Sequence, residues 1–471
     1  MNPIVLQRPP VFSHDQLERI EEAMLRILET VGIAVLDDEV LGRLRSAGFQ
    51  VKDGNRAVIR QHVVEAFLAD ERKRNGDRFL DSPSPLFSDS TEIRVSVSPY
   101  PQRVHDIKTD KVVPFDTARL IEATRLLEAL GLPGPPGCPT DVPPPLQPVV
   151  QYWVAATNSR RHRPVDPKSL ESLPYVMEMA DVLGSPLQSL PVYVFTPLTL
   201  NSESLTCVLK FKDRLSSVSV SDMASLGCTT PINAGDAYAL CVAEVVGSAI
   251  LLGEIIDLPV RWSIRLCPID LRSMAMVLGS PEDFLFQFAN SEINAYFHGT
   301  AWSPAISGIH TNAKLPDAQA CAEKASQMTT GALLGARQFG SAGTLSLDEI
   351  FSAEQLLYDL EIKDHVQRLV DGIDGGCDPD RCISDIVEGI RQKTFAGLES
   401  TRCSYRQIYW HPKLFNREFT APWEVAGARS LRDGAHARIR DLLQQFDYEL
   451  DPALRGELAG IVDRARSQLA G

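Results

Sequence analysis

The stretch that decides the fold of this chain spans residues 296–345 and reads YFHGTAWSPAISGIHTNAKLPDAQACAEKASQMTTGALLGARQFGSAGTL. It begins with the apolar pair Tyr296-Phe297 and passes through His298 and Gly299 into a long loop. Apolar residues then recur at three- and four-residue steps over residues 315–333, which predicts a helix. Residues 335–343 follow as a predicted buried strand that ends in a loop. The order strand, loop, helix and strand is typical of a parallel α/β sheet.

The same alternation continues upstream of this stretch. Helical periodicity separates three apolar or alternating runs that predict strands at residues 190–195, 217–221 and 259–266. Strands that alternate with helices imply right-handed crossovers and a parallel sheet, and seven or so of them favour a closed barrel. We therefore predict a TIM (β/α)8 barrel over residues 81–345. Residues 1–80 are interpreted as an N-terminal helical extension and residues 346–471 as a C-terminal helical region packed on the barrel.

Composition excludes several classes of partner. The chain has 471 residues and a formal net charge of −14, so nucleic acid and anionic membranes are poor partners. Its 9 Cys form no CxxC pair, which favours reduced cysteines in a cytoplasmic protein. Glu244 and Glu254 interrupt the apolar segment at residues 243–256, which is interpreted as a buried helix and not a membrane span.

Candidate site residues lie where predicted strands pass into loops. Barrels of this class keep their sites at the carboxyl ends of their strands, so His298 and His310 are the candidate catalytic residues. Aromatic faces attract cations. The candidate substrate-binding residues are Tyr100, Phe195, Arg265, Phe297, Trp302 and Gln338. A structural histidine, an aromatic residue in the core, or a salt-bridged arginine remains the alternative for each member of the set.

Arg265 is distinguished by its place in a strand. Alternation puts Arg261, Ser263 and Arg265 on one face and Trp262, Ile264 and Leu266 on the other. The polar face is the expected interior face, and an arginine there can hold a carboxylate by two parallel hydrogen bonds.

The sequence provides no evident nucleophile and no local metal site. GxSxG is absent, and none of the 9 His forms an HxH or HExxH pattern. This absence suits a reaction whose nucleophile is supplied by another molecule.

Four stretches resemble, in order, the trimethylamine methyltransferase superfamily in its members that lack pyrrolysine. Residues 17–35 carry the first likeness, and Gly227-Cys228-Thr229-Thr230-Pro231 opens the second, with Ala243-Glu244 after it. The third covers residues 312–324 and the fourth residues 354–362. Together they extend over nearly the full length of the chain.

The resemblance implies a TIM barrel that moves a methyl group from a methylated amine to the cobalt of a separate corrinoid protein. The chain lacks the DxHxxG sequence of corrinoid binding, so the corrinoid (cobalamin) would arrive on that partner, docked over the barrel mouth. The absence of pyrrolysine favours a quaternary amine such as glycine betaine over trimethylamine. We also expect a homo-oligomer. The competing interpretations are a TIM-barrel lyase or hydrolase of a small acid and a non-catalytic amine-binding protein.

Overall fold

The computed structural model describes residues 4, 6–77, 91–162, 169–200, 202–301 and 308–469. The chain is a mixed α/β protein whose first part comprises α1 (His14–Thr30), β1 (Ile33–Val35), α2 (Asp38–Ser46), β2 (Gln50–Lys52), β3 (Arg56–Val58) and α3 (Gln61–Asn75). A capping box starts α1, because the Ser13 side chain accepts a hydrogen bond from the Gln16 N–H and the Gln16 side chain bonds back to Ser13.

The middle of the chain alternates strands and helices. Its elements are β4 (Arg94–Val95), β5 (Arg103–Asp106), β6 (Lys111–Pro114), α4 (Thr117–Leu130), α5 (Gln147–Asn158), α6 (Leu173–Val182), β7 (Ser189–Phe195), β8 (Thr199–Leu200), α7 (Ser202–Phe211), β9 (Ser217–Ser221), β10 (Ala224–Ser225), α8 (Ala234–Ile255), β11 (Val260–Ser263), β12 (Leu266–Cys267), β13 (Ile269–Asp270), β14 (Ala275–Met276), α9 (Pro281–His298), α10 (Ala318–Leu333), β15 (Gln338–Phe339) and β16 (Thr344–Leu345). The final part contains β17 (Ile350–Ser352), α11 (Ala353–Val370), α12 (Pro379–Gln392), α13 (Glu399–Ile408), α14 (Thr420–Val425), α15 (Leu431–Gln444) and α16 (Pro452–Leu469).

Parallel pairings join strands that are far apart in sequence. β7 pairs with β9 and β9 with β11, all in parallel, and β15 pairs in parallel with β4. Isolated parallel bridges join Gly134 to His162 and Gly308 to Gly340. The described strands form several separate sheets, the largest of seven strands, and no single closed sheet is detected among them.

The predicted limits at residues 80 and 345 remain predictions, but sheets cross both of them. β1 of the first part pairs in parallel with β8. β17 of the final part pairs in parallel with β5. The terminal regions are therefore hydrogen-bonded to the central one.

The largest hydrophobic core surrounds α8. This helix has apolar side chains on every face, and α1 packs along it with Leu17, Met24 and Leu28. Of the described helices it alone is long and apolar enough to cross a membrane, and 83% of its apolar window is buried inside the chain. Such burial is typical of a core helix.

One predicted strand is wrong. Tyr296, Phe297 and His298 form the last turn of α9, which starts at Ser280 and Pro281 and ends at Gly299. Two apolar residues before a glycine fit a strand end and a helical last turn equally well. The longer run of residues 281–298 decides, because Ala289, Ile293 and Phe297 recur at four-residue steps and are all buried.

A candidate active site at the carboxyl ends of the parallel strands

Polar side chains collect where the parallel strands end. Because these strands point the same way, the residues that follow them lie at one edge of the sheet. Asp222 follows β9, Arg265 follows β11 and His310 follows the bridge at Gly308, while the other members of the group are Ser98, Ser341 and Asp348. Electrostatic contacts of Arg265 with His310 and Asp348 confirm that they are neighbours.

His310 is held rigidly in this group. Its backbone N–H donates to Gln327 Oε1 at 3.1 Å, and Gln327 Nε2 donates to its carbonyl oxygen at 2.6 Å. The side chain is buried, and its Nδ1 has no hydrogen-bond partner among the described residues. Burial, with Arg265 and Lys324 nearby, lowers the pKa of His310 to about 3. The imidazole is therefore neutral at physiological pH.

Asp222 positions Arg265. Its Oδ1 accepts the backbone N–H of Arg265 at 2.7 Å, whereas its Oδ2 has no hydrogen-bond partner among the described residues. Burial raises the pKa of Asp222 to about 7. Asp222 immediately follows the alternating run SVSVS at residues 217–221, so a carboxylate at a strand end was the signal that could have identified it.

The predicted alternation around Arg265 is confirmed. Trp262 and Ile264 are buried in the core, whereas Ser263 is exposed and Arg265 is partly exposed. Cys267 is its side-chain hydrogen-bond partner, and its guanidinium forms no ion pair with a carboxylate in the described parts of the chain. An arginine beside buried groups and without a salt bridge is suited to binding an anionic group of a ligand.

Asp348 lies on the loop that closes the site. Burial raises the pKa of Asp348, although the nearby Ser98 and Ser341 side chains partly offset the shift, and its Oδ1 lacks a hydrogen-bond partner among the described residues. Ser341, before β16, and Leu347, after it, have φ of 67° and 65°. Non-glycine residues in this conformation concentrate at functional sites, where the surroundings hold them in place.

A buried ion pair holds the turn at Ser341, which precedes β16, in place. Lys324 Nζ donates to Asp359 Oδ2 at 2.8 Å and to the Ser341 carbonyl at 2.9 Å. Asp359 also accepts the Gly343 N–H at 2.7 Å. Both charged side chains are fully buried, so the pair fixes the turn that carries Ser341.

Tyr100 joins this part of the site. A cavity of about 610 Å³ is lined by Tyr100, Gln102, Arg103, Pro114, Thr140, Asp348 and Glu349. Its volume is ample for a small organic cation. Tyr100 and Asp348 thus line the same cavity, and an aromatic ring and a carboxyl group are groups that attract a cation.

The structure places other predicted residues elsewhere. Phe297 is fully buried in the core, edge-to-face with Tyr296, so the expectation that it lines a mouth is wrong. His298 lies on a helix end and not at a strand end, because its Nδ1 bonds to Glu71 and its Nε2 to the Trp262 carbonyl, both at 3.0 Å. These contacts fill its hydrogen-bonding capacity within the fold.

Three predicted residues are separate from the His310 group or cannot be placed. Phe195 is exposed at the end of β7, and Gln338 is exposed on β15, on the face opposite the buried Phe339. Trp302 lies outside the described residues. Their roles in binding remain predictions. Within the described ranges no cluster of three or more His, Cys, Asp or Glu is arranged for a metal ion.

Comparisons with known proteins extend over almost all of the chain. The sequence model of the family described as Trimethylamine methyltransferase (MTTB) matches residues 4–470. A trimethylamine methyltransferase of Desulfitobacterium hafniense is 23% identical over 97% of this chain and 94% of its own length. One of Methanosarcina mazei is 24% identical over 98% and 96%. A glycine betaine methyltransferase from another strain of Desulfitobacterium hafniense is 23% identical over 97% of each chain.

One solved structure is also similar. The monomethylamine methyltransferase of Methanosarcina barkeri aligns with a TM-score of 0.41 at 12% identity, over 93% of this chain and 89% of that one. A likeness at this level does not assign the fold.

Proposed function

Because the chain belongs to the trimethylamine methyltransferase family, we propose that it moves a methyl group from a quaternary amine to a corrinoid on a separate protein. Glycine betaine is the proposed substrate. The corrinoid supplies the nucleophile as Co(I), and the leaving group is a neutral tertiary amine. The residues of this chain would then hold the zwitterionic substrate in line for methyl transfer and exclude water from the site.

The observation that carries the proposal is the guanidinium of Arg265. It lies beside the neutral His310 and near Asp348, and the described residues provide no ion-pair partner for it. A carboxylate brought into such a site requires a charged partner, because an unpaired buried charge is costly. Arg265 would bind the carboxylate of betaine through its planar fork of donors.

The ammonium end of the substrate would face Asp348 and Tyr100. Asp348 Oδ1 has no partner among the described residues, and it adjoins the cavity that Tyr100 lines. A quaternary nitrogen donates no hydrogen bond, so a carboxylate and an aromatic face are what can attract it. The neutral His310 adds no competing positive charge.

The proposed barrel rests on the observed pairings. Within residues 81–345, β4 is the first strand and β15 the last strand that takes part in a parallel pairing, and they pair with each other at Arg94 and Gln338. Pairing of the first strand with the last is what closure of an eight-stranded barrel requires. The bridges at Gly134 and Gly308 add two more of the neighbouring pairs.

The partner would dock on the loops that follow these strands. Large apolar side chains are exposed there, namely Met223, Ile232, Leu271 and Met274. Ile232 and Leu271 lie together, since both side chains approach Gly227. An exposed apolar patch beside the site fits the docking of a protein that must present its cofactor to Arg265 and His310.

The test compares glycine betaine with tetramethylammonium, which lacks the carboxylate. Arg265→Ala should weaken betaine binding by about 1.5–3 kcal/mol, as for hydrogen bonds to charged groups, and leave tetramethylammonium unchanged. Arg265→Lys should also weaken betaine binding, because lysine lacks the bidentate fork. The matched control is Arg261→Ala, an exposed arginine on the same strand face.

Calorimetry measures binding, and the cobalt spectrum of Co(I) cobalamin follows methyl transfer. Equal loss for both ligands, or none, would remove Arg265 from the site. Betaine binding without transfer to any Co(I) corrinoid would instead favour a non-catalytic amine-binding protein.

A further inference from the structure

A second cavity lies beside helix α4. It has a volume of about 410 Å³ and is bounded by the β5–β6 hairpin, by α4, by the segment that joins β17 to α11, and by α15. Apolar side chains from these elements form most of its wall, among them Val104, Leu126, Phe351, Ile439 and Leu443. A cavity of this size, with an apolar wall and a few polar groups, is typical of sites for small molecules.

This second cavity is separate from the candidate site. Arg103 and Pro114, which pair at one end of the β5–β6 hairpin, line the cavity that contains Tyr100 and Asp348. Lys108, in the turn at the other end of the hairpin, lines the second cavity. None of the described residues lines both cavities, so a ligand in one leaves the other free.

Two charged side chains at the second cavity have no partner of opposite charge. Arg119 of α4 pairs with Asp116, the N-cap residue of that helix, and the Asp106 carboxylate accepts the Lys108 N–H at 2.8 Å. The ammonium of Lys108 on the hairpin and the carboxylate of Glu122 on α4 form no ion pair within the described ranges. An unpaired cation and an unpaired anion thus line the same apolar cavity from two different walls.

We propose that the second cavity binds an α-amino acid with an apolar side chain, such as leucine. The side chain of the ligand would lie between Leu126, Phe351 and Ile439, where burial removes it from water. Its carboxylate would pair with Lys108 and its ammonium with Glu122, through charge-assisted hydrogen bonds. A ligand with only one charged group would leave one of these two residues without a partner, so the lining favours a zwitterion.

Calorimetry of the full chain with L-leucine and L-phenylalanine tests the proposal. The compound 4-methylpentanoate lacks the ammonium of leucine, and 3-methylbutylamine lacks its carboxylate, so each should bind about two- to fivefold more weakly than leucine, as for loss of an exposed ion pair. Lys108→Ala should weaken leucine binding by the same factor and leave 3-methylbutylamine unchanged. Glu122→Gln should weaken leucine binding and leave 4-methylpentanoate unchanged. The matched control is Lys111→Ala, an exposed lysine of the same hairpin that does not line the cavity.

Filling the cavity is an independent test of the same proposal. Ala123 lines the cavity and is 7% exposed, so Ala123→Leu should abolish leucine binding in a variant that circular dichroism shows to be folded. Arg265→Ala should leave leucine binding unchanged, which keeps this test distinct from that of the proposed function. The proposal would be overturned if neither amino acid bound at millimolar concentrations, if leucine binding survived Ala123→Leu or was the same in Lys108→Ala and Glu122→Gln as in the wild type, or if Arg265→Ala abolished it.

Discussion

Replacing Lys324 by Met should destabilise the protein strongly. The ammonium group is fully buried, and its partner Asp359 is equally buried. Methionine nearly conserves the side-chain volume, so the change removes charge and hydrogen bonds with little loss of packing. Breaking a buried pair on one side typically costs about 3–5 kcal/mol, because the remaining charge has no counterion. The Ser341 carbonyl also loses one of its donors and keeps the hydroxyl of Thr344.

A double-mutant cycle separates the ion pair from the rest of the network. Asp359→Leu should lower the free energy of unfolding by at least as much as Lys324→Met, because it also leaves the Gly343 N–H without its acceptor. The double variant has no charge at either position, and it leaves the Gly343 N–H and the Gln355 side-chain amide without the Asp359 carboxylate as acceptor. The double variant should therefore lose roughly 2–4 kcal/mol less free energy of unfolding than the two single variants lose in sum.

Urea unfolding measures these free energies, and Arg402→Met is the control. Arg402 pairs with Glu399 on the surface, with both side chains 71% exposed, so its loss should stay below about 1 kcal/mol. Weakened betaine binding by folded Lys324→Met would show that the pair also positions the loop of Ser341. A loss for Lys324→Met no larger than for Arg402→Met would refute the reasoning.

Three further variants test other parts of the molecule. Burial raises the pKa of Glu244 to about 8 from 4.5, so the folded state retains a proton that the unfolded state releases, and stability should fall as pH rises from about 5 to 8. Glu244→Gln should reduce that slope in unfolding free energies measured at several pH values. Glu292→Gln removes a buried acceptor of the Arg8 guanidinium and the Val11 N–H, so it should cost about 1–3 kcal/mol and increase hydrogen exchange before α1. Trp302→Ala should weaken betaine binding by about 1–2 kcal/mol in calorimetry, and an unchanged dissociation constant in a folded variant would assign Trp302 to packing.

The sequence determined the elements whose signals are local. The apolar helix α8 and the strand β7 lie where the sequence pattern predicted them, since each pattern depends on residues within a few turns or one strand. The two faces around Arg265 were predictable for the same reason, because alternation along a strand is a local property.

The local sequence pattern gave a wrong prediction where a strand end and the last turn of a helix have the same pattern. Phe297 and His298 fit the end of a strand until the whole of α9 is considered. In the fold Phe297 packs in the core, and His298 bonds to Glu71, which is distant in sequence. Nothing in the residues around position 298 reports such a partner.

The composition of the candidate site was decided by the tertiary structure alone. His310 was predicted from its loop, but its clamp by Gln327, the position of Asp348 near Arg265 and the ion pair of Lys324 with Asp359 join residues that are 17 or more positions apart in the sequence. A residue's burial and charged neighbours set its pKa and hydrogen-bonding capacity, and both arise only when distant segments meet. Periodicity therefore located the strand ends, whereas packing determined which side chains at those ends face one another.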